Sequence, residues 1–362
     1  MYILYTSGST GIPKGVVLNH KAVLSYIEWV KDSFDIDENT IWGSQTPFYF
    51  SMSITDVFST MLTGATFYII PKINFSFPIN LIKFLNENKI NTIYWVPSAL
   101  CIVANLGALK DVKLPYLKNV LFAGEVMPTK QLNEWVKALP EVRFANLYGP
   151  TETTDICSYY VVDRKLENTE SIPIGKHCDN CGLILINENG NEIKYVEGKE
   201  SEPGELLVRG SFLASGYYKN VEKTSSTFVQ NPVNSAYPEV VYKTGDIVKF
   251  DKTGNLIYIS RKDYQIKHMG YRIELGEIER NIYAIDGIAL CSCIYDEINK
   301  NIVLFYQGSI DETSLAKKAS ERLLPYMVPN KYILLKALPY NSNGKIDKKL
   351  LKTNYMKEVN NV

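Results

Sequence analysis

Thr92-Ile93-Tyr94-Trp95-Val96 is an unbroken run of apolar, aromatic and β-branched residues. A strand with one wet face alternates polar and apolar residues, whereas a strand covered on both faces does not. Thr66-Phe67-Tyr68-Ile69-Ile70 and Val120-Leu121-Phe122-Ala123 read the same way, and Leu81 to Asn88 and Lys130 to Leu139 read as helices between them. That alternation predicts a parallel sheet covered by helices, an α/β arrangement. The pattern changes after about Cys181. Gly182-Leu183-Ile184-Leu185-Ile186, Gly204-Glu205-Leu206-Leu207-Val208 and Leu256-Ile257-Tyr258-Ile259 are strand-like and separated by Gly and Pro turns, which predicts a β-rich subdomain. A shorter α+β unit follows, from about Lys262 to Leu351, and the polar residues Lys352 to Val362 read as a frayed tail.

The length of 362 residues suits two or three domains, and a composition of 46% hydrophobic and 22% charged residues is that of a soluble globular protein. Thirty-nine basic and 39 acidic side chains cancel, which gives no electrostatic reason to expect nucleic acid or an anionic membrane as a partner. No apolar run reaches the roughly 18 residues of a membrane span. The N-terminus lacks the charged and apolar regions of a signal peptide, so the expected location is the cytoplasm. Six cysteines in so long a chain are not a disulfide scaffold. Cys178 and Cys181 form a lone C-x-x-C behind His177, while Cys291 and Cys293 share one face of a predicted strand. A structural zinc site shows two knuckle-like pairs, so the second pair reads as core packing.

Tyr5-Thr6-Ser7-Gly8-Ser9-Thr10-Gly11-Ile12-Pro13-Lys14-Gly15 follows the apolar Met1 to Leu4, which reads as a strand; Ala22 to Val30 reads as a helix beyond it. Glycines let backbone approach a ligand closely, and successive N–H groups make an anion-binding concavity. Hydroxyls and one lysine add donors and charge for phosphate. The tract is not a Walker A loop, because Pro13 precedes Lys14 and Gly15 follows it.

Further segments sharpen this reading. They are Asn146-Leu147-Tyr148-Gly149-Pro150-Thr151-Glu152-Thr153-Thr154, Tyr242-Lys243-Thr244-Gly245-Asp246, Arg261 to Lys267, Gly270 to Glu279, and Leu338 to Asp347 with Lys345 in a glycine-containing turn. In this order and spacing the chain resembles the adenylate-forming (AMP-binding) superfamily. It is most similar to amino-acid adenylation domains of nonribosomal peptide synthetases and to D-alanine–carrier protein ligases. The resemblance covers nearly the whole chain.

The resemblance implies an acid–thiol ligase. ATP with Mg²⁺ activates a carboxylic acid to an acyl-adenylate, pyrophosphate leaves, and a phosphopantetheine thiol of a separate carrier protein then attacks. It implies that Thr6, Ser7, Gly8, Ser9, Thr10, Gly11 and Lys14 hold the β- and γ-phosphates. Tyr148 flanks adenine, with Asn146, Gly149 and the Gly124-Glu125 backbone beside it. Thr151 binds the α-phosphate and Glu152 holds Mg²⁺. Asp246 accepts the ribose hydroxyls, supported by Arg261. Lys345 bridges the substrate carboxylate and the α-phosphate, neutralising two anions that would otherwise repel. Asp263 matches a hinge between a large domain, 1–261, and a small mobile lid domain, 262–351, with 352–362 as a flexible tail. The expected fold is therefore α/β plus α+β.

The acid pocket departs from the family pattern. Matching assigns Ser51, Met52, Thr55, Trp95, Leu121, Ala123, Leu147, Asp155 and Ile156 to its lining. Amino-acid activating members carry an aspartate where this chain has Ser51, and a serine cannot neutralise a buried ammonium. Asp155 is the expected substitute; Asp56 is the lesser one, read as a cap or a solvent-facing acid. Trp95 shrinks the pocket, so a small amino acid is expected, with a small hydroxy or aryl acid as the alternative. Ser260 replaces the glycine usual before Arg261. The chain also starts late relative to the family pattern. An incomplete large domain with uncovered apolar strand edges is expected, and with it poor solubility or the need for a partner. An acyl- or aryl-CoA ligase, and a remnant that only binds nucleotide or a partner chain, stay open as alternatives.

Overall fold

The computed structural model describes residues 1–6, 14–261, 265–268, 271–296, 299 and 301–360. The first strands, β1 (Tyr2–Thr6) and β2 (Lys14–Leu18), pair antiparallel, with Thr6 opposite Lys14. The glycine tract therefore connects two strands of a hairpin rather than a strand and a helix. Ser7, Gly8, Ser9, Thr10 and Gly11 lie outside the described residues, as does Asp263.

Next come α1 (His20–Phe34), β3 (Ile41–Ser44), α2 (Ser53–Thr63), β4 (Thr66–Ile69), α3 (Ile73–Ser76), α4 (Pro78–Glu87), β5 (Thr92–Trp95), α5 (Pro97–Asn105), β6 (Asn119–Ala123), α6 (Thr129–Ala138), β7 (Arg143–Tyr148), β8 (Ser158–Val161) and β9 (Lys176–His177). The strands form one sheet in the order β4-β3-β5-β6-β7-β8-β9. Pairings from β4 through β7 are parallel; those of β8 and β9 are antiparallel. Every residue of β5 and β6 is buried, as their uninterrupted apolar runs require.

Helix α1 shows how local signals and packing divide the work. The Asn19 side chain accepts the Ala22 N–H at 2.9 Å, and Asp35 ends the helix with φ at 55°. Val23, Tyr26, Ile27, Val30 and Phe34, spaced by three and four residues, turn one buried face to the sheet. Each such side chain contributes about 1.5–3 kcal/mol on burial, against about 1 kcal/mol for the cap. Packing therefore fixes the helix and carries Tyr26 inward.

An antiparallel sheet of five strands follows: β10 (Cys181–Ile186), β11 (Gly204–Gly210), β12 (Phe228–Gln230), β13 (Val240–Phe250) and β14 (Leu256–Arg261), with α7 (Val221–Thr227) before β12. This is the β-rich part. The C-terminal part contains the hairpin β15 (Gln265–His268) and β16 (Tyr271–Glu274), then α8 (Leu275–Tyr283), β17 (Ile288–Asp296), β18 (Asn301–Gly308), α9 (Glu312–Arg322), β19 (Lys331–Leu334) and α10 (Lys348–Asn360). Ile278, Ile282, Cys291, Cys293, Leu304 and Leu315 form its own core, so the Cys291 and Cys293 side chains do face one way. No helix among the described residues is long and apolar enough to cross a membrane.

The tail is a correction. Lys352 onward was expected to fray, but α10 continues to Asn360. Leu351 and Tyr355 are buried, the Tyr355 ring meets Phe305 edge-on at 6.3 Å, and its hydroxyl donates to Asp296 at 3.2 Å. Two inward residues four apart, with Met356 and Val359 packed beside them, anchor a segment that is otherwise mostly polar.

Strand β4 differs from the reading as a strand covered on both faces: it ends the seven-stranded sheet and exposes Thr66 and Ile69, Ile69 at 63%, while α2 exposes Met61 at 73%. Beside them an apolar cleft of about 450 Å³ is lined by Tyr2, Leu4, Phe48, Val57, Met61 and Phe67. An open edge with apolar neighbours invites strand addition. The purified chain should therefore self-associate with rising concentration, and Ile69→Lys should reduce this. Light scattering after size exclusion reads both; a parent that stays monomeric at high concentration refutes the expectation.

Candidate active site

The parallel strands β5, β6 and β7 end side by side, and the expected site residues gather at those carboxyl ends, where open α/β sheets place their ligand crevices. After Tyr148 the chain makes a short turn of 3₁₀ helix, Thr151–Thr153, and returns as β8. The Cys157 N–H donates to the Tyr148 carbonyl at 2.8 Å and closes the loop. Gly149 permits the approach: a Cβ there would meet the Asp155 carbonyl oxygen at 2.3 Å. Thr154 and Asp155 follow with φ of 56° and 103°, a conformation that side-chained residues rarely adopt and that costs about 1–3 kcal/mol.

This loop carries the expected site side chains Tyr148, Thr151, Glu152 and Asp155. Tyr148 donates its hydroxyl to Asp246 on β13; burial, and then the Asp246 charge, push the Tyr148 hydroxyl well above its ordinary value. Asp246 is buried, its N–H donates to Thr244 at 2.9 Å, and its Cα registers with that of Arg261 across β13 and β14. The acid and the arginine expected at a ribose thus sit on paired strands. Glu152 is buried and accepts on one oxygen from Lys14 Nζ at 2.9 Å and from the Tyr217 hydroxyl at 2.6 Å. Lys14 also donates to Tyr217 at 3.0 Å and lies 4.5 Å from its ring centre. Thr151 is half-buried, and the Asn146 amide donates to the Pro173 carbonyl at 2.7 Å.

Lys345 reaches the same crevice from the C-terminal part. Its turn is built by Asn341, whose side chain accepts the N–H groups of Asn343 and Lys345. Gly344, at φ 76°, allows the reversal. The turn is docked through its carbonyls: Tyr49 donates to Ser342 at 2.6 Å and Ser98 to Gly344 at 3.1 Å. Lys345 Nζ lies 5.4 Å from the Phe50 ring centre. A Cβ on Gly124, which has φ of 88°, would stand 3.3 Å from Lys345 Cε. Glu125, half-buried beside it, accepts the Ser98 N–H at 2.9 Å; burial pushes its carboxyl up, opposed by that bond and by the Lys345 charge.

The nine expected lining residues, Ser51, Met52, Thr55, Trp95, Leu121, Ala123, Leu147, Asp155 and Ile156, are all buried. Asp155 is 3% exposed, and its Oδ2 accepts from Tyr94 at 2.9 Å, Thr55 at 3.2 Å and Tyr26 at 3.3 Å. Burial pushes its carboxyl up to about 6, with the hydroxyls of Tyr94, Ser51, Thr55 and Tyr26 pulling the other way. Of the two readings of Asp56, a cap or a solvent-facing acid, the structure contradicts the second: it stands in the first turn of α2 but is buried. It is 1% exposed, accepts the Val57 N–H at 3.0 Å, and burial raises it to about 7. Tyr26 and Tyr94 lie in stretches that read as core, and Tyr217 in a Ser-Gly-Tyr-Tyr-Lys turn without a motif signal, so none of the three stands out in the sequence.

The sequence pattern of the AMP-binding enzyme family matches residues 1–218, more than half of the chain. The chain belongs to that family. It is 34% identical over 368 residues to a delta-poly-L-ornithine synthetase of Acinetobacter baumannii (strain AB307-0294), covering 99% of this chain and 26% of that protein. It is 31% identical over 362 residues to a D-alanine–D-alanyl carrier protein ligase of Bacillus anthracis, covering 97% and 70%. A solved four-domain nonribosomal peptide synthetase, bound to AMP and glycine, superposes with a TM-score of 0.80 at 28% identity over 96% of this chain and 25% of that one. The chain spans from 14% to 70% of the length of the curated relatives it matches. The resemblance read from the motifs and the α/β fold are thus borne out.

The raised Asp155 carboxyl makes a prediction about stability. Between pH near 4 and 6 the folded chain keeps a proton that the unfolded chain has lost, so stability falls as pH rises through that window. Above it the full cost stands, up to about 3 kcal/mol at roughly 1.4 kcal/mol per pH unit. Asp155→Asn should therefore raise the thermal midpoint at pH 8, and the gain should shrink toward pH 4. Melts at the two values check this; a loss of stability at pH 8 would sink it.

Proposed function

We propose that this protein activates a small amino acid with ATP and loads it onto a carrier protein. The substrate carboxylate oxygen attacks the α-phosphorus, pyrophosphate leaves, and an acyl-adenylate forms. The carrier's phosphopantetheine thiolate then attacks the acyl carbon and AMP leaves. The observation that carries this reading is the docking of Lys345 beside Gly124 and Phe50, with Met52 of the expected acid-pocket lining at the same glycine and Asp155 buried among the other lining residues. A cation held there stabilises two anions that approach only during reaction, so its contribution belongs to the transition state. The D-alanine–D-alanyl carrier protein ligase and the synthetase bound to AMP and glycine support a small amino acid and a carrier partner.

Asp246, Arg261 and Tyr148 are assigned to ribose and adenine, Thr6, Lys14 and Thr151 to phosphates. Glu152 is a single buried carboxylate at the phosphate end, and Mg²⁺ is commonly held by one or two carboxylates together with substrate phosphates. The donor fits. Glu152 would hold the ion, which supplies charge neutralisation of the phosphates. Lys14 and Tyr217 keep the carboxylate oriented on its Oε1 side.

Lys345→Ala should lower ATP–pyrophosphate exchange by roughly 10²–10³, the scale of about 3–4 kcal/mol. ATP affinity, read by calorimetry, should change little. Undiminished exchange removes Lys345 from the mechanism.

Asp155→Asn should cut the preference for amino over des-amino acids by at least ~2 kcal/mol, the scale of an unpaired buried charge. Exchange with glycine, D-alanine and β-alanine against acetate and propionate measures it. A parent that prefers the des-amino acids overturns the amino-acid reading.

A further inference from the structure

Tyr26 and Tyr94 occupy positions that a phenylalanine would fill equally well as core. Their hydroxyls nevertheless end on one carboxylate oxygen, together with Thr55. The three come from separate elements, α1, β5 and α2, at 3.3, 2.9 and 3.2 Å from Oδ2 of Asp155, and the Tyr26 and Thr55 hydroxyls lie 2.7 Å apart. A carboxylate offers about four acceptor positions on two oxygens. Among the described residues the hydrogen bonds from Tyr26, Thr55 and Tyr94 all end on Oδ2; even with the Ser51 hydroxyl also pulling on this carboxyl, a position on Oδ1 remains for a cation. Among the described residues the groups pulling the carboxyl down are hydroxyls, not lysine or arginine. Asp56 on α2, Tyr2 on β1 and Cys178, which acts on the Tyr26 hydroxyl, also face this cluster, and none of them is a cation. A buried carboxylate with hydroxyls on one side and no paired cation is held ready for a positive ligand.

We propose that the Tyr26, Thr55 and Tyr94 hydroxyls are specificity-determining positioning groups, which keep Asp155 ionised and aligned so that its second oxygen reads the substrate ammonium. This rests on the amino-acid reading above. The positive φ of Asp155 agrees with it: the backbone is strained to bring this side chain under the hydroxyls.

The test is an NMR titration of the chain labelled with ¹³C at aspartate carboxyls, with the Asp155 signal assigned by its loss in Asp155→Asn. Removing a donor to the charged form should move the Asp155 midpoint upward, most in Tyr94→Phe because its bond is shortest, and less in Tyr26→Phe and Thr55→Val. The preference for glycine over acetate in ATP–pyrophosphate exchange at pH 7 should fall about tenfold in Tyr94→Phe, the equivalent of about one pH unit. Loss of packing alone would not move a titration midpoint. If Tyr94→Phe fails to fold, Tyr26→Phe decides. An unmoved midpoint in a variant that melts like the parent overturns the proposal. So does a moved midpoint with an unchanged amine preference, although a parent that favours glycine would leave the amino-acid reading standing. A parent that favours acetate fails that reading first, whatever the titration gives.

Discussion

One backbone hydrogen bond, from Cys157 to Tyr148, holds the site together. It forces the chain to leave β7, turn and come back within a few residues. Because the return is so tight, Tyr148, Glu152 and Asp155 are presented from a single loop to three different neighbours, Asp246, Lys14 and the hydroxyls of Tyr26, Thr55 and Tyr94. The bond is possible only where position 149 has no side chain. Everything else at the site is arranged around this loop. Strand β13 brings Asp246 to the Tyr148 hydroxyl, the β1–β2 hairpin brings Lys14 to Glu152, and α1, α2 and β5 close over Asp155.

Much of the fold was legible because parallel strands buried on both faces leave uninterrupted apolar runs, as in Thr92 to Val96 and Val120 to Ala123. The motif residues were legible because short loops with glycine have few ways to fold. Tyr26, Tyr94 and Tyr217 were not. Tyr26 and Tyr94 have the setting of core residues and Tyr217 that of a turn, and only the meeting of distant elements turns their hydroxyls toward a carboxylate. The same limit hid α10, where Leu351 and Tyr355 act as anchors only once β17 and β18 are in place. It also hid the burial of Asp56, since an acid in the first turn of α2 reads equally well as an exposed helix-end charge.

The polar interior of the pocket carries a thermodynamic cost that the surrounding sheet must offset. Asp155 and Asp56 are both driven above the ordinary carboxylate range by burial, and the Asp155 charge adds to the rise of Asp56. Such groups are tolerated where a ligand later relieves them, a pattern common at functional sites. Trp95, Leu121 and Phe122 on the neighbouring β5 and β6 are fully buried, and apolar burial of this kind offsets the cost.

The turn that carries Lys345 is gripped by its main chain. Tyr49 and Ser98 donate to the carbonyls of Ser342 and Gly344, so neither bond asks which side chain stands at 342. Recognition between the two halves of the molecule is in this respect blind to sequence and sensitive to shape. Residues 342 and 343 can drift without loss of fit, provided that Asn341 and Gly344 keep the reversal. For the same reason the segment is a natural junction for recombination: a C-terminal half from a distant relative would dock here if its turn had the same length and handedness.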